Sequence, residues 1–213
     1  MVRMGHDATR QSYDTVAETY AARFRDELAG KPLDRALLAS LLEQSEPGFP
    51  VADLGCGPGH VAAWMAERGA KSVGIDLSAA MVSAGRREYP DVEFREGDLL
   101  ALPAADGEFG SAVACYSVIH LEPSELPKAF AEVYRVLRPS GHFLVTFHVG
   151  TEVRHLDEWW DHEVNVDFYF YEPTQVIDLL KDAGFTLEMQ MERVHYPDEV
   201  DTRRAYLLAR RPS

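Results

Sequence analysis

Apolar residues recur along this chain with two periods, and the alternation between them outlines the elements. Leu33, Leu37, Leu38, Leu41 and Leu42 share a stripe at helical spacing, so 33–45 reads as a helix. Residues 8–29 read as another, set apart by Gly30-Lys31-Pro32. The short apolar run 51–54 is a strand, followed by a helix from about His60 to Arg68 that Gly69 stops. Residues 72–75 form a second strand, and Ser78 caps a helix that ends before Pro90. Strands three and four fall at 92–95 and 108–115. A helix opening at Ser124 tolerates Pro127 in its first turn, carries Leu126, Ala129, Phe130, Val133, Val136 and Leu137 on one stripe, and stops at Pro139-Ser140-Gly141. The run 142–149 is strand five, residues 150–171 exceed a simple connection, and a helix at 173–183 closes at Gly184. Residues 185–191 and 205–209 then alternate apolar and polar as an antiparallel pair. Strand–helix alternation up to about residue 150 implies a parallel sheet in a single α/β domain over 1–213, with helices at 1–45 and an insertion at 150–172.

The punctuation of the first strand adds chemistry. Residues 51–60 read VADLGCGPGH: an acid, Asp53, then Gly55, Cys56, Gly57 and Gly59 in a tight loop before a helix. The next strand also ends in an acid, Asp76, placed where a carboxylate can take both hydroxyls of a ribose. A dinucleotide fingerprint needs a third glycine where this chain has His60, and His60 is too large for close helix–sheet packing.

With D-L-G-C-G-x-G, the acid closing strand two, and EGDL at 96–99, nearly the whole chain (about 13–211) resembles the class I S-adenosylmethionine-dependent methyltransferases, in particular the type 11 family. The resemblance implies a doubly wound, mostly parallel seven-stranded sheet of order 3-2-1-4-5-7-6, its last strand antiparallel, under an N-terminal helical lid. It implies that S-adenosylmethionine is the cofactor and S-adenosylhomocysteine the product. Asp53 would take amides of the glycine loop and orient the cofactor's amino group. Asp98 would accept the adenine amine with Leu99 on the ring, Leu77 and Met81 would line its other face, and the main chain near Tyr116 and Ser117 would meet the methionine end. Tyr13 and Tyr20, seven apart on one helical face, would cover the sulfonium, where aromatic rings attract a cation. The chain departs from the pattern at Gly110, where the family commonly has an acid.

Methyl transfer from a sulfonium asks for alignment more than for acid–base groups. The one candidate base is His120, just past strand four, with packing or capping as its other role. His148, Trp159, Trp160, Phe168 and Phe170 are candidates for the acceptor wall, or for plain core. His155, Asp157, Asp161 and His162 lack a compact ligand motif, so no metal is expected.

Composition narrows the acceptor. A formal charge of −14, from 21 basic and 35 acidic residues, disfavours a nucleic acid. A small molecule methylated at oxygen or nitrogen is the expectation. No apolar run spans a membrane, and the start lacks a signal-like stretch, so cytoplasmic residence is the default. Two cysteines make no disulfide framework. A subunit that binds the cofactor without turnover, and more distantly a nicotinamide oxidoreductase, remain as rivals; oligomeric state is not encoded legibly.

Overall fold

The computed structural model describes residues 4–213; the first three positions of the expected 1–213 domain lie outside the described residues. Helices α1 (Met4–Phe24) and α2 (Pro32–Gln44) precede β1 (Val51–Leu54), α3 (His60–Ala66), β2 (Ser72–Asp76), α4 (Ala79–Glu88), β3 (Glu93–Glu96), β4 (Phe109–Cys115), α5 (Leu126–Val136) and β5 (Leu137–His148). A hairpin, β6 (Val153–Trp159) and β7 (His162–Tyr169), leads to α6 (Pro173–Asp182), β8 (Thr186–Arg193) and β9 (Arg204–Arg210). The main sheet runs β3-β2-β1-β4-β5-β9-β8. The first five are parallel, and β9 is antiparallel to both neighbours. This is the expected doubly wound order.

Burial explains the strands. All four residues of β1 are buried, as suits a central parallel strand covered on both faces. On one face α5 and α6 bury Leu126, Phe130, Val133, Val176 and Leu180 against Phe143, Val145 and Phe147. On the other, Leu38, Leu41, Val61 and Met65 close over Val51, Val113 and Leu144.

Four elements differ from the expectation. The first helix stops at Phe24, and Glu27–Gly30 winds into a short 3-10 turn, which redirects the chain before Pro32 opens α2. Helix α5 begins at Leu126 with Glu125 before it, so Ser124 does not cap it, and β5 starts at Leu137, running through Pro139-Ser140-Gly141 with an irregular register opposite Phe109–Ser111. The insertion is a two-stranded ribbon turned by Trp160 and Asp161, both at positive φ (52° and 64°). Backbone of that hand matches a twisted hairpin, but without the Asn-Gly or Asp-Gly pair that usually announces it.

Candidate active site

The carboxyl ends of β1, β2 and β4 open into a cavity of about 620 Å³ roofed by α1 and the β6–β7 hairpin, a size in the range of small-ligand sites. Asp14 of α1 holds the roof in place: it accepts from the Ser78 hydroxyl (2.6 Å) and the Ala80 amide (3.1 Å) at the start of α4. The hairpin joins it where the Asn165 amide donates to Ser12 Oγ at 2.8 Å.

The glycine loop forms the floor. Gly55, Gly57 and Gly59 all take positive φ. A Cβ on Gly55 would fall 2.2 Å from that of Ser117, so only glycine lets the β1 loop pass the end of β4. At Gly57 it would meet only the Tyr20 ring at 3.8 Å, leaving the space over its Cα open to a ligand. Gly59 stands outside the cavity: a Cβ there would strike Phe94 at 2.4 Å, so its smallness serves packing.

The loop-holding task expected of Asp53 falls to Asp76. Asp53 accepts from the Ala62 amide at 3.0 Å, in the first turn of α3, instead of from the glycine loop. The loop is held by Asp76, which accepts from the Gly57 amide (2.7 Å) and, on its other oxygen, from the Ser78 amide (2.8 Å). Burial pushes the Asp76 carboxyl up to about 6 and Asp53 up to about 7. Carboxylates Asp26, Glu27, Asp34, Asp53, Asp76, Asp98, Asp198 and Glu199 line the cavity, against the cations Arg23, Lys31, Arg204 and the protonated His6. Such a wall stabilises hydroxyl donors and positive charge and repels a diphosphate. A sulfonium nucleoside with a free amino group fits it; a dinucleotide does not.

Leu77, Asp98 and Leu99 line the same cavity, with Cys56, Tyr116 and Ser117 toward its other end. Met81 does not: it is wholly buried with Val16, Ala17 and Val166, because the helix capped by Ser78 turns it inward. Asp98 accepts from the Leu100 amide (2.8 Å) and pairs with His6 of α1 at 3.3 Å. His6 also donates to Glu125 at 3.1 Å, and hydrogen bonding to Asp98, reinforced by Glu125, raises its pKa to about 9.

Tyr13 and Tyr20 both line the cavity, their rings edge to face at 6.0 Å. His120 lines it too, with neither ring nitrogen free: its Nδ1 meets the Asp167 carbonyl (3.0 Å) and its Nε2 the Tyr13 hydroxyl (2.7 Å). A carbonyl only accepts, so Nδ1 carries the proton and Tyr13 donates to Nε2. Burial lowers the His120 pKa to about 4, keeping the ring neutral.

Of the expected acceptor wall, Trp159, Phe168 and His148 face the cavity, while Trp160 stacks on Trp159 (4.8 Å) and Phe170 on His148 (5.1 Å) behind them. Sequence reading missed the polar end. Glu27 accepts from Lys31 (2.6 Å) and from His60 Nε2 (2.9 Å), and Lys31 also reaches Glu199 at 3.2 Å. Burial would raise the Glu27 carboxyl, yet His60 and Lys31 draw it down to about 2. Tyr116, left-handed at φ 52°, bonds to Tyr206 (3.2 Å), which donates to Asp34 (3.0 Å). The one signal for this end was the bulk of His60 after the glycines.

Comparison with known proteins bears on the chain as a whole. Residues 51–141 match a family described as a methyltransferase domain. Over 135 residues (62% of this chain, 55% of the relative) the sequence is 32% identical to a demethylmenaquinone methyltransferase of Beutenbergia cavernae. Over 158 residues (72% and 60%) it is 29% identical to a malonyl-[acyl-carrier protein] O-methyltransferase of Serratia marcescens. The chain thus spans little more than half the length of these relatives. The fold aligns with magnesium protoporphyrin IX methyltransferase from Synechocystis, solved with S-adenosylmethionine bound, at a TM-score of 0.74 and 17% identity, covering 97% of each chain.

Proposed function

We propose that this chain, which carries a class I S-adenosylmethionine-dependent methyltransferase domain, transfers the methyl group of that cofactor to an oxygen or nitrogen of a small molecule. The observation that carries this reading is Asp76, anchored by the Gly57 amide beside the open space over that glycine, in an acid-lined cavity.

Asp76 would hold the ribose hydroxyls, and Asp98 the adenine amine between Leu77 and Leu99. The glycine loop with Cys56, the main chain at Tyr116 and Ser117, and Asp53 would hold the amino-acid end, with Tyr20 closing over it. When bound, S-adenosylmethionine supplies a methyl group already activated by positive sulfur. The protein's part is then orientation and exclusion of water, which alone can contribute about 7–11 kcal/mol. Trp159 and Phe168 would exclude water from above, and the polar end around Lys31, Glu199 and His148 would receive the rest of the acceptor.

Methyl-labelled S-adenosylmethionine offered with a set of small hydroxyl- and amine-bearing compounds tests this. Label is expected in the small-molecule fraction. Label confined to protein or nucleic acid would contradict it.

A further inference from the structure

At the polar end of the cavity the His148 ring is fixed by aromatic packing. It stacks on Phe170 (centroids 5.1 Å apart, planes at 25°) and leans on Tyr116 (5.1 Å, 36°). A cation sits over each of these partners, Arg154 over Phe170 at 4.6 Å and Lys31 over Tyr116 at 5.5 Å. A protonated imidazole would add a third positive charge to this pile. Burial, with Arg204 and Arg154 nearby, brings the His148 pKa down to about 4, so the ring is neutral at pH 7. Thr202 decides which nitrogen keeps the one proton. Its hydroxyl lies 2.8 Å from Nδ1 and turns its own proton to the Val200 carbonyl (3.4 Å), so it accepts from Nδ1–H. Nε2 is left as a bare lone pair. That nitrogen is neither paired among the described residues nor walled off, and its ring lines the cavity. A ligand group docking there must donate; a carbonyl or carboxylate is refused.

Position separates this donor from the reacting atom. The main chain at Tyr116 would meet the methionine end of the cofactor, and His148 lies a further ring away from it. Trp159 and Phe168 add aromatic surface to the same cavity. Resting on the methyl-transfer reading of this cavity, we infer that His148 is a specificity-determining residue whose bare Nε2 accepts a hydrogen bond from a second hydroxyl of the acceptor. The substrates are then small ring compounds that carry one group to be methylated and a separate hydroxyl to be recognised. No proton passes to His148, and the transfer of the methyl group is left to alignment. Its removal therefore weakens acceptor binding and spares the chemical step.

The full chain, labelled with nitrogen-15 and saturated with S-adenosylhomocysteine, gives the first test. Imidazole spectra at pH 7 should show His148 protonated at Nδ1 and bare at Nε2. Transfer from methyl-labelled S-adenosylmethionine is then compared between the three dihydroxybenzenes and their monomethyl ethers, in which the second hydroxyl is capped. At least one dihydroxybenzene should have a KM about tenfold or more below that of its ether. In His148→Phe this gap should close through a higher KM for the dihydroxybenzene, with kcat and S-adenosylhomocysteine affinity each within about threefold of the unmodified protein. A protonated Nε2, ethers as good as their parents for all three isomers, or a fall in kcat at unchanged KM in the variant would overturn the proposal. So would label on none of the six compounds. Should His148→Phe not fold, the spectra and the ether comparison on the unmodified chain still decide. Failure of the unmodified protein to bind S-adenosylhomocysteine would instead remove the methyl-transfer reading, and the proposal with it.

Discussion

Asp76 accepts two main-chain amides and is buried at the end of β2 with its carboxyl pushed up to about 6. Ribose hydroxyls donating to it would favour the charged form, so binding should be linked to loss of a proton. S-adenosylhomocysteine affinity is expected to rise as pH increases through about 6, and this rise should flatten in Asp76→Asn. In the free protein the same group works on stability in the opposite sense. Its folded pKa lies above the unfolded value, so its contribution is full below about 4 and is lost as pH rises through 6. Asp76→Ala should weaken S-adenosylhomocysteine binding at least tenfold, since hydrogen bonds to a charged acceptor contribute roughly 1.5–3 kcal/mol; unchanged affinity by calorimetry would remove Asp76 from the site. Asp76 was legible in the sequence because an acid ending the second strand has a fixed place in such a sheet. The partners of Asp53 were not, because a carboxylate at the end of β1 can reach either the loop or the first turn of α3, and only packing chooses Ala62.

At the scale of elements, the β1–α3 loop and the end of β4 approach so closely that neither can change alone. Gly55→Ala sets a Cβ against Ser117 at a positive φ of 71°. It should destabilise the fold by about 2 kcal/mol or more and abolish S-adenosylhomocysteine binding, read by denaturant midpoint and calorimetry. Helix α1 is tied down at its first turns by His6, between Asp98 and Glu125. The folded pKa of His6 is raised, so its contribution is full below about 6.5 and disappears as pH passes 9. The melting temperature of His6→Ala should therefore lie below that of the unmodified protein at pH 6, and the gap should close near pH 10. The helices were legible because each buries one face at helical period, and the central strands because each is a short apolar run covered on both faces. The β6–β7 hairpin was not: its aromatic residues fit a core as well as a ribbon, and Trp160-Asp161 gives no turn signal.

Across the whole molecule, a charge of −14 and a cavity walled largely by carboxylates point the same way. Such a field favours a cationic nucleoside over a polyphosphate. Among the described residues no helix is long and apolar enough to cross a membrane. The cavity's acidic lining comes from the 3-10 turn after α1, from α2, three strand ends and the β8–β9 connection, segments far apart in sequence, which is why no local pattern announced it. The most direct measurement is titration calorimetry of the unmodified chain with S-adenosylhomocysteine and, separately, with a nicotinamide dinucleotide. One molecule of S-adenosylhomocysteine per chain, with no heat from the dinucleotide, is the expected result. Preferential binding of the dinucleotide, or no binding of S-adenosylhomocysteine, would contradict it.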